Sequence, residues 1–202
     1  MIEVEIKAKV SNPDDLRKKF EDSNGIHKFS LLHEDTYFNM PIELRDFKKT
    51  DEALRIRKSI EFQEDINDLE KRIIKYYLTY KGKKLDSLTK SRNELEVIIS
   101  DGIQLKLILK SLGFREIFTV KKERELYEFN YKEYLVEALI DYIPILKEYF
   151  IEVELQVDTD DELDNARDIL FSFLSQFGIE REDSIRKSYL ELIAEKFKEK
   201  NN

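Results

Sequence analysis

The chain contains no cysteine, which excludes disulfide frameworks, thiolate metal sites and cysteine nucleophiles. Its 2 histidines are too few for a histidine-rich metal cage or an HExxH protease. The 5 glycines form neither a Walker loop nor a dinucleotide fingerprint, so any phosphate must be gripped by side chains. With 3 prolines and no Pro/Gly/Ser-rich stretch there is no linker, and no internal repeat is visible. No apolar run approaches the ~18 residues of a spanning helix. Glu3 places a charge where a secretory peptide would build its apolar stretch. A soluble, cytoplasmic protein is expected.

What the chain does have is charge. It carries 43 acidic and 35 basic residues, a net charge of −8, with 39% of its 202 residues charged. The acidic balance argues against nucleic acid as a partner, because a phosphate backbone would be repelled without a strong local basic patch. Any chemistry must rest on carboxylates, lysines and arginines. The length suits one domain, 1–202, with a single sizeable core.

Residues 1–9 alternate and predict a strand. Asn12 with Pro13 predicts a helix start, the helix running to about Asp22. Further strands are expected at about 28–39, 52–59, 72–82, 90–100, 114–131, 134–142 and 148–158. A short helix over about 103–111 is closed by Gly113, and after Val157 the helical period predicts helices over 159–176 and 183–200. The polar stretch 59–72 is expected to be a long hairpin or a short helical excursion. The class is α+β, with antiparallel strands and helices packed outside them.

Side chains in a strand alternate faces. Glu3, Glu5 and Lys7 therefore share one face, and Val4, Ile6 and Ala8 the other. The same holds for Arg55 with Arg57, for Arg92 with Glu94 and Glu96, for Lys122 with Arg124, and for Glu152 with Glu154. Lys81 falls on the face of Thr79 and Tyr77, and Asp141 is a further acid from the preceding strand. For any single strand the simple explanation is a charged face in water, with cross-strand ion pairs adding about 0.2–1 kcal/mol each. A sheet of about eight strands, however, tends to curl or close. Closure with the apolar faces against outer helices would put the charges inside, where both signs are costly unless paired or bound to something. A polyphosphate with its divalent cation wants both signs: guanidinium and ammonium groups hold phosphate oxygens, and carboxylates hold Mg²⁺ or Mn²⁺.

The sequence Glu3-Val4-Glu5-Ile6-Lys7 resembles the ExExK signature of the CYTH superfamily, the triphosphate tunnel metalloenzymes, which include class IV adenylyl cyclases, thiamine triphosphatases and inorganic triphosphatases. Further matches follow in order: Asp35 to Phe38 (DTYF), Ala53 to Arg57 (ALRIR), Leu78 to Gly82 (LTYKG), Arg92 to Glu96 (RNELE), Leu112 to Phe114 (LGF), Val120 to Arg124, Phe150 to Glu154 (FIEVE) and Lys187 to Ile193. The resemblance covers essentially the whole chain. It implies an eight-stranded antiparallel barrel forming an open tunnel. It also implies metal binding by Glu3, Glu5, Glu152 and Glu154, with Asp141 added, and a triphosphate grip by Lys7, Arg55, Arg57, Lys81, Arg92, Lys122 and Arg124. Glu5, Lys7, Lys122 and Arg124 are the expected catalytic set, and Lys187 is expected over a tunnel mouth.

Among the remaining residues, His27 and His33 are expected in ordinary surface or edge roles. Tyr37 and Phe38 are expected to pack an outer or rim core, and Tyr189, Leu190 and Ile193 to dock a helix face. Glu94 and Glu96 are open between pairing the arginines and positioning metal or water. The leading functional expectation is metal-dependent hydrolysis of a small triphosphate, whether inorganic, a nucleoside triphosphate or thiamine triphosphate. The alternatives are a class IV adenylyl cyclase and a polyphosphate-binding module without turnover. The expected partner is a small-molecule triphosphate, with no nucleic acid and no membrane, bound to a monomer or a homodimer.

Overall fold

The structure, a computed structural model, describes residues 2–62, 72–85 and 92–200. Its strands are β1 (Ile2–Val10), β2 (Ile26–Asn39), β3 (Ala53–Phe62), β4 (Arg72–Lys84), β5 (Arg92–Ile99), β6 (Arg115–Tyr131), β7 (Tyr134–Ile143) and β8 (Glu148–Val157). They close into an antiparallel barrel in the order β1-β5-β4-β3-β2-β6-β7-β8, so the α+β tunnel architecture expected from the sequence is present. The helices α1 (Pro13–Asp22), α2 (Gly102–Ser111), α3 (Leu163–Ser175) and α4 (Tyr189–Lys200) complete it. None of the helices among the described residues is long and apolar enough to cross a membrane.

Closure follows from the alternation. On β1 the outward Val4, Ile6 and Ala8 are buried with Ala138 and Ile140 of β7 and Ile151, Val153 and Leu155 of β8. Over them lie Leu16 and Phe20 of α1 and Leu170, Phe173 and Leu174 of α3. Phe20 meets Tyr127, Phe129 and Phe177 edge-on at 4.9–5.2 Å between ring centres, the arrangement that aromatic quadrupoles favour. A second outer cluster joins Leu105 and Leu109 of α2 to Phe38 and Ile56. With apolar residues committed outward, the charged alternates point into the lumen.

Helix boundaries follow local chemistry. Asn12 Oδ1 accepts from the Asp15 backbone N–H at 3.1 Å, and Asp101 Oδ1 accepts from the N–H groups of Ile103 and Gln104 at 2.9 Å. Gly113 takes φ +88°, the left-handed conformation that ends α2. The helix expected from residue 183 begins only at Tyr189. Before it, Ser184 bridges to Ala8, Ile185 N–H donates to the Lys7 carbonyl at 2.7 Å, and Ser188 and Glu191 form a reciprocal capping box. The helix expected from 159 likewise starts at Leu163, after a 3₁₀ turn at Asp160–Glu162. Of the stretch 59–72, β3 takes residues to Phe62 and β4 resumes at Arg72; the excursion expected between them lies outside the described residues.

Candidate active site

The inner face has two poles. At the basic pole, Arg124 (β6) meets Asp141 (β7) through two parallel bonds, Nε and Nη2 each at 2.6 Å, and its Nη2 also donates to Glu152 (β8). Lys122, two residues earlier on the same face, donates to Asp141 at 3.2 Å. Lys7 lies 3.9 Å from Glu152, directly opposite it in the β1–β8 register. On the neighbouring wall Arg57 (β3) forks onto Asp35 (β2) at 2.7 and 2.8 Å. Arg55 reaches Asp35 at 3.3 Å and Thr79 (β4) at 3.1 Å. Burial alone would raise the Asp35 carboxyl, but the Arg57 and Arg55 guanidiniums outweigh it and hold the group well below its ordinary range. Lys122 moves the other way: burial, then the nearby Arg124 charge, bring its ammonium down to about 8.

The acidic pole is built from β1 and β8. Glu3, Glu5 and Glu154 each offer a carboxylate oxygen, all within 4.8 Å of one another, and Glu5 stands directly opposite Glu154 in the register. Burial and then the Glu3 and Glu5 charges push the Glu154 carboxyl well above its usual range. Glu3 is also burdened by burial, yet Lys81 (β4) at 3.1 Å outweighs that and holds it at about 2. Lys81 also meets Glu94 (β5) at 2.5 Å. These contacts span the seam where, among the described residues, β1 pairs with β5 through Ile2 with Asn93 and Glu3 with Arg92. A carboxylate trio with Glu5 buried and Glu3 and Glu154 half-buried, in which like charges raise the Glu154 carboxyl, is the donor set a hard divalent cation relieves, so the residues fit such an ion.

An apolar stopper adjoins the basic pole. Tyr189 and Ile193 of α4 pack on Val120, Ile143 and Phe150, with Tyr37 against them. The Tyr189 hydroxyl donates to Asp141 at 2.8 Å, and its ring lies 4.0 Å from the Lys7 ammonium and 5.4 Å from that of Lys122.

The structure thus brings Lys7, Arg55, Arg57, Lys81, Lys122 and Arg124 onto one lumen with Glu3, Glu5 and Glu154. Arg92 is buried on the same face, 3.9 Å from Asp51. Glu152 and Asp141 sit among the cations, apart from the carboxylate trio. Glu96 bonds Thr79 at 2.7 Å and lies 3.5 Å from Arg55, so it belongs to the arginine network. Lys187 is placed elsewhere: its amine bonds Glu195 at 2.8 Å on the surface, 53% exposed. Three residues were overlooked in the sequence. Asp35 organises the arginines, and its alternation with Tyr37 was the available signal. His33 is buried against Ser59 rather than at a surface edge, while His27 is exposed. Tyr189 does dock α4 but also enters the charged network. Tyr37 packs against the inner stopper, and Phe38 lies in the outer core.

The CYTH domain profile matches residues 1–189. The chain belongs to the CYTH family. It is 40% identical over 195 residues to the Methanocaldococcus jannaschii protein named "Putative adenylate cyclase MJ0240", covering 95% of this chain and 98% of that one. The CYTH barrel is also similar to the solved structure of PH1819 from Pyrococcus horikoshii, at 36% identity and a TM-score of 0.81, over 96% of this chain and 99% of that one. A more distant likeness, of fold alone, is to HpAC1 from Hippeastrum, at 18% identity and a TM-score of 0.64 over 96% and 95% of the chains.

Proposed function

We propose that this CYTH protein hydrolyses a small triphosphate with the help of a divalent cation, Mg²⁺ or Mn²⁺. The observation that carries the reading is the single lumen holding a carboxylate trio and a wall of buried arginines and lysines. The cation would be held by Glu3, Glu5 and Glu154; when bound it supplies charge neutralisation on phosphate oxygens and polarises an attacking water. Arg57 and Arg124 offer planar forks that match phosphate oxygens two at a time, and Lys7, Lys81 and Lys122 add point charges. Their present partners, Asp35 and Asp141, keep the cations oriented and lower the cost of holding them out of water. Water adds to a terminal phosphorus and gives up a proton to solvent, the bridging P–O bond breaks, and the electron pair leaves on diphosphate. The same cations offset the charge that develops there. Burial brings the Lys122 ammonium down to about 8, within reach of releasing a proton near neutral pH.

A second reading, adenylyl cyclase activity, is favoured by the relative that is 40% identical and carries that name. In it the ribose 3′-hydroxyl attacks the α-phosphorus and diphosphate leaves. The discriminating experiment supplies Mg²⁺ or Mn²⁺ and separates products from inorganic triphosphate, ATP and thiamine triphosphate by mass spectrometry. Orthophosphate with diphosphate from inorganic triphosphate is expected. Cyclic AMP as the dominant product of ATP, with inorganic triphosphate intact, would reverse the ranking, because inorganic triphosphate has no hydroxyl to cyclise.

A further inference from the structure

His33 lies on the lumen face of β2, two residues from Asp35, in a cross-strand row with Ser59 of β3 and Lys122 of β6. It is 5% exposed. Nε2 is 3.1 Å from the Ser59 hydroxyl, while Nδ1 is buried and has no hydrogen-bond partner among the described residues. A buried ring nitrogen left open in a polar lumen costs free energy that a ligand can recover. The charged groups around it are Asp35 on its own strand, Arg57 on β3, and Lys122 and Arg124 on β6. Burial, then the Arg57 and Lys122 charges, outweigh Asp35 and keep the imidazole neutral, well below its ordinary titration range.

We propose that His33 is a further ligand of the polyphosphate, offering Nδ1 to phosphate oxygens and taking up one proton as the anion binds. This rests on the triphosphate reading of the lumen. The free cations repel a proton at His33; a polyanion neutralises Arg57 and Lys122 and supplies acceptors for the imidazolium. No atom is exchanged apart from the proton, which comes from solvent. Ser59 fixes the ring by holding Nε2, and His33 gives the site a sensitivity to pH on the acid side of neutrality, below the range in which Lys122 releases its proton.

Because the chain has 2 histidines and His27 is exposed, imidazole NMR of the full-length protein reports His33 beside an internal reference. The probe is inorganic triphosphate with divalent cations removed by chelation, so that no turnover occurs. In the free protein, His33 should stay neutral at pH 6. Saturation with triphosphate should carry the His33 midpoint upward to pH 6 or beyond, so that the ring is charged there, and leave the His27 resonances in place. The wild-type chain should therefore bind triphosphate at least about twofold more favourably at pH 6 relative to pH 8 than His33→Gln does. Saturation of other lumen resonances with an unchanged His33 midpoint, or an identical pH dependence in His33→Gln, overturns the inference and leaves the triphosphate reading standing. If no resonance saturates, both fall together.

Discussion

The two poles of the lumen hold the same kinds of side chain in opposite electrostatic circumstances. At the basic pole, Asp141 is enclosed by Arg124, Lys122 and Tyr189, and Asp35 by Arg57 and Arg55. At the acidic pole, Glu5 faces Glu154 across the β1–β8 ladder, and Glu3 joins them within 4.8 Å. Burial is deep at the basic pole and partial at the acidic one, where Glu5 is buried and Glu3 and Glu154 are half-buried. One pole is already neutralised by the protein itself, whereas the other is strained by its own like charges. The basic pole should therefore hold the fold together, and the acidic pole should weaken the free fold while serving the chemistry.

The sharpest way to break that comparison is Asp141→Asn, which keeps shape and removes the charge shared by Arg124 and Lys122. Removing one partner of a buried pair costs about 3–5 kcal/mol, so urea unfolding should show a loss of that size. A loss under about 1 kcal/mol would mean the basic pole is not structural. Next in size, Glu5→Gln and Glu154→Gln should each lower metal-supported triphosphate turnover at least about a hundredfold, about 2.7 kcal/mol. Without metal, Glu154→Gln should melt at or above the temperature of the parent, since a repulsion has been removed. A melting temperature that falls as far as that of Asp141→Asn would erase the distinction between the poles.

A smaller effect is expected of Arg57→Lys, which keeps the charge but loses the fork: about a tenfold fall in kcat/KM for inorganic triphosphate. Wild-type kinetics there would show that only charge matters on that wall. Smallest is Tyr189→Phe, which keeps the ring over Lys7 and deletes one hydrogen bond to Asp141. Thermal unfolding should register about 1 kcal/mol.

Much of this was legible in the sequence because strand alternation has a fixed period. Val4, Ile6 and Ala8 against Glu3, Glu5 and Lys7 dictated which face would meet the helices, and eight such strands dictated closure. The same alternation set Glu3 with Glu5 and Glu152 with Glu154, while their expected role as metal ligands came from the resemblance to the CYTH superfamily. What the period could not give was the pairing across the lumen. Glu152 and Glu154 occupy equivalent positions on β8, yet register sets one opposite Lys7 and the other opposite Glu5. His33 looked like an edge residue because nothing local says that Ser59, 26 positions away, would face it. Tyr189 read as an ordinary docking aromatic because the turn that delivers it to Asp141 is fixed by tertiary contacts. The start of α4 was different: Ser188 and Glu191 spelled out a capping box that the helical period alone passed over.

The ring order has a consequence in time. β1 finds its long partner in β8, seven strands later in the chain, and Lys9 meets Glu148 across 139 residues. While the intervening strands are being made, β1 waits with its apolar face short of that partner, and closure must overcome the entropy of this long loop. The carboxylate trio cannot assemble before β8 is made, so competence to gather a cation arrives in one step with that strand.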